Sequence, residues 1–185
     1  LARSDAARPV RYATGTLLAV ALLPLAPTPL PTVRLAPTPE FVTSGEWRRY
    51  VEPDRSVVTL PMPASTYPDP LRWSARTGLD MPIARGYFLG PNDDPASGGS
   101  AIFSAPWRPT ARFFDTIRRT GEVPEITEQQ RAEAIEDFRH WRAGAVVLGQ
   151  VKHADAYRRA MTELTGISPT FTGGVWVWDV RPLVG

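Results

Sequence analysis

Aromatic and arginine side chains that could contact a ligand are concentrated in the middle of the chain. They are Arg72, Trp73, Arg76, Arg85, Tyr87 and Trp107. Sugar rings stack on aromatic faces, and the guanidinium fork of arginine holds phosphate or carboxylate groups. We therefore predict a ligand-binding site whose contacts are Arg72, Trp73, Arg85 and Tyr87. The alternative is a structural role, because most tryptophans lie in a core or an interface.

Motifs for self-contained catalysis are absent from the sequence. It has no cysteine, which excludes disulfides, thiolate nucleophiles and cysteine-based zinc sites. There is no Gly-x-Gly-x-x-Gly or P-loop motif to cradle a phosphate, and no Asp-x-Asp or Gly-x-Ser-x-Gly motif. We interpret Ser-Gly-Gly-Ser at residues 97–100 as a flexible loop. The sequence therefore predicts no catalytic residue and no cofactor.

Two sets of acidic and histidine side chains are further candidates for chemistry. Glu136 and His140 are four residues apart, share a helix face and could ligate a metal together with His153. Asp93 and Asp94 could hold a cation in their loop. However, a histidine near a helix C-terminus interacts favourably with the helix dipole without any metal. We interpret both sets as structural or solvated and predict no metal site.

The charge balance argues against a nucleic-acid partner. The chain has 21 basic and 19 acidic residues, so its formal net charge is only +2. The arginines alternate with acidic residues and form no basic stripe.

Strand and helix patterns alternate along the chain and must position these side chains. Strands are predicted over residues 56–62, 81–89, 145–149 and 170–180. Helices are predicted over residues 44–51, 71–77, 109–120 and 154–165, and Thr127 and Gln130 open another as a capping box. The buried face of that helix is predicted to carry Ala132, Ile135, Phe138 and Trp141. This order predicts an α/β layered single domain, its mainly parallel or mixed sheet flanked by helices.

The N-terminal segment has the pattern of a membrane helix. Arg3, Arg8 and Arg11 precede an apolar run at residues 17–26. A span needs roughly 20 apolar residues, and residues 10–26 come close to that length. Two alternatives stay open: a secretory signal, which also has a basic start, and a buried core helix.

The membrane interpretation sets the expected domain organisation. Because the chain begins at Leu1 without an initiator methionine, we expect a fragment or a processed product. Arginines on the cytoplasmic side would place everything after Pro27 on the extracytoplasmic side. We expect the last membrane helix in residues 1–26, a proline-rich linker in 27–43 and an extracytoplasmic α/β domain in 44–185.

Short motifs spread over most of the chain suggest a family. They are Thr-Leu-Pro at 59–61, Pro-Leu-Arg-Trp-Ser-Ala-Arg-Thr-Gly at 70–78, Arg-Gly-Tyr-Phe-Leu-Gly-Pro at 85–91 and Gly-Val-Trp-Val-Trp-Asp-Val-Arg at 174–181. Together they resemble the C-terminal extracytoplasmic domain of actinobacterial multi-spanning membrane glycosyltransferases. The resemblance implies a lipid-linked sugar donor and a catalytic acid in an early external loop outside this chain. No residue here matches that acid, so none is assigned as catalytic.

The leading hypothesis is an accessory domain of a cell-envelope membrane glycosyltransferase. It would help position a glycan acceptor or a polyprenyl-phosphate sugar donor, with its own membrane helices and the membrane as further partners. A second hypothesis is a structural or interaction domain with no ligand. A third, a free-standing envelope enzyme, requires converging titratable groups that the sequence does not reveal.

Overall fold

The computed structural model describes residues 7–23, 36–51, 54–64, 66–86, 89–91, 101–103 and 105–185. The chain divides into two compact units, Leu1–Leu35 and Ala36–Gly185.

The described part of the first unit is built around helix α1, which spans Ala7–Leu22. Its apolar side chains are exposed, with Leu17 at 72% and Leu18 at 61% exposure. The Thr16 hydroxyl donates to the Tyr12 carbonyl oxygen at 2.9 Å, which satisfies that hydroxyl within the helix. The predicted membrane segment overlaps α1, although its last three residues lie outside the described ranges. No helix in the described ranges combines the length and apolarity needed to cross a membrane.

A four-stranded mixed sheet forms the centre of the second unit. Strand β1 (Ser56–Leu60) pairs in parallel with β4 (Ala143–Leu148). On the other side of β4 lies β6 (Val175–Asp179), antiparallel to it, and β5 (Thr170–Thr172) pairs antiparallel with β6 at the edge. The short strands β2 (Leu89–Pro91) and β3 (Ala101–Phe103) pair separately as an antiparallel ribbon. With helices flanking the main sheet, the predicted α/β fold is confirmed, and the sheet is of the mixed kind.

Two helices of the second unit, α5 and α6, begin or end at residues that the sequence marks as helix boundaries. Their bounds are α2 Glu40–Thr43, α3 Arg48–Val51, α4 Asp69–Arg76, α5 Pro109–Thr120, α6 Glu128–His140, α7 Ala154–Thr165 and α8 Arg181–Val184. Pro109 suits the first turn of α5, and Gly121 ends it in the left-handed conformation that glycine tolerates best. The capping box of Thr127 and Gln130 is present at the start of α6.

Two apolar clusters cover the two faces of the sheet. One contains residues of α5, α6 and α7, including Phe114, Phe138 and Tyr157. The other packs Phe41, Trp47 and further side chains against the opposite face. Strand β4 is therefore buried along its whole length, which explains its unbroken apolar sequence.

Three predicted elements differ from the structure. In place of the helix predicted over residues 44–51, Ser44 is the C-cap of α2 and α3 covers only Arg48–Val51. The strand predicted over residues 81–89 is not formed by residues 81–86, where a single parallel bridge joins Ile83 to Val57. Residues 87–88 lie outside the described ranges, and Leu89 begins β2. Pro82 has no N–H to donate, and Arg85 has φ = 64°, which ends the extended conformation. In α6 the buried residues are Ala134, Asp137 and Phe138, whereas Ala132 is exposed. Phe138 of the predicted face is buried and Trp141 packs against the core, as expected. A spacing of three is shorter than the ~3.6 residues of a helical turn, so Ala132 at the start of the stripe faces solvent.

The folded unit begins earlier than the expected start at residue 44. Phe41 is fully buried and Val42 almost so, and both lie in α2 within the segment interpreted as linker. The Phe41 N–H donates to the Gly173 carbonyl oxygen at 2.9 Å, which joins α2 to the turn between β5 and β6. Residues 36–43 therefore belong to the folded unit, while residues 27–35 lie outside the described ranges.

Candidate ligand-binding site

A cavity of about 100 Å³ lies at the edge of the sheet where the parallel strands end. Leu60 and Leu148 are paired at the carboxyl ends of β1 and β4, so the segments that follow both strands meet there. Strand β6 starts at the same edge, because Trp176 pairs with Leu148. Open α/β sheets place their ligands beyond such carboxyl ends. The lining residues are Ala36, Pro37, Thr38, Pro39, Tyr67, Asp69, Trp73, Gln150 and Gly174.

Two aromatic side chains, Trp73 and Tyr67, contribute apolar surface to the cavity. Trp73 is only 4% exposed because it also packs in the core cluster under the sheet. Its ring lies against Gly149, where an added Cβ would come within 3.1 Å of Cη2. Tyr67 is half-buried, and its backbone is fixed by an N–H donated to the Ala64 carbonyl oxygen at 2.9 Å. Both rings are therefore held by the fold before any ligand arrives.

Polar groups at the cavity come from Asp69 and Gln150. The Asp69 carboxylate accepts from Arg72 Nη1 at 2.5 Å, one helical turn further along α4. Arg72 Nη2 also donates to the Ala36 carbonyl oxygen at 3.4 Å, so the same guanidinium supports the opposite wall. Gln150 follows β4 directly and its side chain is exposed.

The Tyr67 hydroxyl stays protonated throughout the physiological pH range. Burial raises the pKa of Tyr67 above its usual value, and the negative charge of Asp69 raises it further. The hydroxyl can therefore both donate and accept a hydrogen bond.

Arg85 belongs to a separate arrangement. Its guanidinium lies over the Trp107 ring at 3.8 Å from the centroid, and Nη2 donates to the Ala105 carbonyl oxygen at 3.1 Å. Nε and Nη1 are buried and find no hydrogen-bond partner within the described chain. Burial lowers the pKa of Arg85, and the charge of Asp115 partly offsets this.

The structure divides the predicted ligand contacts. Trp73 lines the cavity, and Arg72 supports it through Asp69 and Ala36. Arg85 is not among the lining residues, and Tyr87 lies outside the described ranges.

Of the lining residues that sequence reasoning missed, Tyr67, Asp69 and Gln150 matter most to the chemistry of the cavity. Tyr67 lies in the connection between β1 and α4, and Asp69 is the first residue of α4, just before the predicted Arg72–Trp73 pair. The available signal was a Tyr-Pro-Asp-Pro run after a buried strand, a pattern that could equally be an ordinary turn. Gln150 lies more than 80 positions away, and only the parallel pairing of β1 with β4 brings it close.

The alternative metal sites receive no support from the described residues. Glu136 pairs with Arg108 Nη2 at 3.1 Å, and His153 is the N-cap of α7. No group of three or more potential metal ligands is found within the described ranges. Asp93 and Asp94 lie outside those ranges.

Comparison with protein-family models, with curated proteins and with solved structures gives no match for this chain.

Proposed function

We propose that the unit Ala36–Gly185 is an accessory, extracytoplasmic glycan-binding domain of a membrane glycosyltransferase. It helps to position a glycan acceptor or a lipid-linked sugar donor, and the catalytic residues lie outside this chain. The observation that carries the proposal is the cavity at the carboxyl edge of the sheet, with its two aromatic rings, one carboxylate and one amide.

The chemistry of this lining suits a sugar. Aromatic surface from Tyr67 and the edge of Trp73 can pack against the C–H groups of a pyranose ring. The Asp69 carboxylate and the Gln150 amide can hydrogen-bond to hydroxyl groups. Few converging polar groups on a mainly apolar wall are typical of small-molecule sites.

The size of the cavity sets what can bind. At about 100 Å³ it is smaller than the ~300–1,000 Å³ of pockets that enclose a whole ligand. It can therefore receive part of one sugar residue, while the rest of a glycan lies on the surface. Weak, single-residue contact suits a domain that orients a polymer rather than one that sequesters it.

The membrane part of the proposal is supported by the first unit. Helix α1 exposes Leu17, Leu18 and Leu22, and arginines precede this apolar face in the sequence. If this face is buried in lipid with the arginines on the cytoplasmic side, the second unit lies on the extracytoplasmic side of the membrane. The cell-envelope setting and the actinobacterial glycosyltransferase family are taken from the motif resemblance described above.

Arg85 and Tyr87 remain predicted contacts to the ligand.

Glycan titration of the full chain tests the proposal. Cell-envelope oligosaccharides and polyprenyl-phosphate sugars are added up to millimolar concentration, and binding is followed by tryptophan fluorescence and ligand-observed NMR. We expect saturable binding that Tyr67→Phe and Gln150→Ala weaken and that Gln129→Ala leaves unchanged. Gln129 is the matched control because it is also an exposed glutamine but lies on α6. Absence of any saturable signal would overturn the proposal.

A second candidate, an interaction domain without a ligand, is favoured by one surface feature. Phe171 is 57% exposed on the edge strand β5, and its ring centroid lies 5.0 Å from that of Trp176. An exposed aromatic on an edge strand is a common docking element. Under this candidate, Phe171→Ser should abolish pull-down of the membrane helices that serve as its partner, and neither the wild-type chain nor the variant should bind a glycan.

A further inference from the structure

The charges around the cavity distinguish between the two ligand types left open above. Among the described residues that line the cavity, Asp69 is the one carboxylate, and none is arginine, lysine or histidine. The ion-pair partner of Asp69 is Arg72, whose Nη1 lies 2.5 Å from the carboxylate and whose Nη2 donates to the Ala36 carbonyl oxygen. A ligand inside the cavity therefore meets the Asp69 carboxylate, whereas Arg72 is not among the described lining residues.

This arrangement disfavours an anionic ligand. Two like charges a few ångströms apart near a protein surface repel strongly, because the effective dielectric constant there is far below that of water. Asp69 has only 22% of its side chain exposed, so solvent screening of its charge is limited. The ion pair with Arg72 reduces the repulsion without removing it.

The remaining polar groups match neutral hydroxyls. Gln150 and the Tyr67 hydroxyl can each donate and accept, and the carboxylate of Asp69 can only accept. A sugar hydroxyl can donate to Asp69 and accept from Tyr67 or Gln150. A phosphate or carboxylate oxygen has no proton to give to Asp69.

We infer that the cavity takes a neutral sugar residue and rejects anionic ones, with Asp69 as the residue that determines this specificity and Arg72 as the residue that positions it. This inference rests on the proposed function. It assigns the cavity to the neutral end of a glycan acceptor and not to the phosphate-bearing part of a lipid-linked donor.

Matched neutral and anionic sugars test the inference on the full chain. Methyl glucoside is compared with methyl glucuronide, and methyl galactoside with methyl galacturonide, by ligand-observed NMR. Each pair has the same ring stereochemistry and differs at C6. We expect the neutral member of the pair that binds to bind about ten-fold more tightly. Raising the salt from about 0.02 M to about 0.5 M should reduce that ratio, since it is electrostatic.

Charge variants test whether Asp69 is the source of the preference for neutral sugars. Asp69→Asn removes the carboxylate and leaves Arg72 unpaired, so the preference should fall to unity or reverse. Arg72→Gln leaves Asp69 unpaired, so the preference should persist or grow while both affinities fall. If Asp69→Asn does not fold, Gln150→Glu adds a second carboxylate at the rim and should increase the preference, with Gln129→Glu on α6 as its control.

The outcomes separate the inference from the proposed function. If neutral and anionic sugars bind equally, or the anionic member binds more tightly, the inference is wrong while glycan binding stands. A preference that survives Asp69→Asn would also overturn it, because the carboxylate would not be its source. If no sugar binds, the proposed function fails, and the inference with it.

Discussion

Replacement of Asp137 by alanine should destabilise the second unit by about 3 kcal/mol. Asp137 is 1% exposed on α6, and its carboxylate accepts hydrogen bonds from two groups at the start of α5. One donor is Arg108 Nε, and the other is the Thr110 N–H at 2.8 Å. The N-cap of α5 has no side-chain cap of its own, so Asp137 caps this helix from a neighbouring one.

The expected loss of unfolding free energy in Asp137→Ala lies between two known limits. A hydrogen bond to a charged group contributes ~1.5–3 kcal/mol, and breaking a fully buried ion pair costs ~3–5 kcal/mol. Arg108 keeps 27% of its side chain exposed and retains Glu136 as a partner, so the loss of stability should be smaller than the upper limit. The Thr110 N–H would lose its acceptor in a buried position, which keeps the value above the lower limit.

Urea unfolding followed by circular dichroism measures the effect, with Glu136→Ala as the matched control. Glu136 is the adjacent residue, pairs with the same arginine at 3.1 Å and is 75% exposed. Its removal should change the free energy of unfolding by less than about 1 kcal/mol, as for other surface pairs. Asp137→Asn should fall between the two, because an amide oxygen still accepts from the Thr110 N–H. Equal destabilisation by Asp137→Ala and Glu136→Ala would refute the reasoning.

Three further changes test other parts of the fold. Gly144→Ala should destabilise by at least ~1–3 kcal/mol in urea unfolding, because the new Cβ would overlap the Tyr50 carbonyl oxygen; a near-neutral result would refute this close approach. Thr127→Ala removes the capping box of α6 and should cost ~1 kcal/mol by the same assay, whereas Thr127→Ser should be nearly neutral. Hydrogen bonds from Arg181 are the main cause that lowers the pKa of Asp179 in the folded state. The Asp179 carboxylate therefore stabilises the fold at pH values above its unfolded-state pKa of ~3.9. This stabilisation is lost as the pH falls through the folded-state pKa of Asp179. Asp179→Asn should therefore flatten the acid side of the stability–pH curve, and an unchanged curve would contradict the assignment.

Local signals in the sequence were sufficient to predict several helices. Pro109 at the start and Gly121 at the end determine α5, and the buried stripe of α7, with Tyr157 and Met161, follows helical spacing. Such signals lie within one element, so they can be interpreted without knowledge of the fold. The strand predicted over residues 81–89 shows the limit of this reasoning. The edge of β1 receives only the bridge between Ile83 and Val57, because Pro82 has no N–H to donate and Arg85, at φ = 64°, leaves the extended conformation.

The candidate site could be predicted only in part for the same reason. Trp73 and Arg72 stood out by residue type, and both are at the cavity. Gln150 has no local pattern that marks it, because its place depends on the register between β1 and β4. The importance of Asp69 depends on the composition of the lining, because none of the described residues that line the cavity beside it is a cation. Such a property belongs to the assembled lining and cannot be read from any one segment.

The boundary of the folded unit follows from the same contacts that build the cavity. Residues 36–39 form one wall, and Arg72 reaches the Ala36 carbonyl oxygen from the other side. Phe41 and Val42 come next and are buried. Loss of a buried phenylalanine alone costs ~3–5 kcal/mol, against a total stability of ~5–15 kcal/mol for a typical domain.

A fragment that begins at residue 44 should therefore unfold at much lower urea concentration than one that begins at residue 36, and it should bind no sugar. Circular dichroism and the methyl glycoside titration measure both effects. If the shorter fragment were equally stable, Phe41 would not belong to the core. If it were unstable but still bound sugar once stabilised by an osmolyte, the wall formed by residues 36–39 would not belong to the site. Removal of residues 36–43 should thus reduce stability through the loss of Phe41 and Val42 from the core, and reduce binding through the loss of the wall formed by residues 36–39. The urea unfolding and the sugar titration distinguish these two effects.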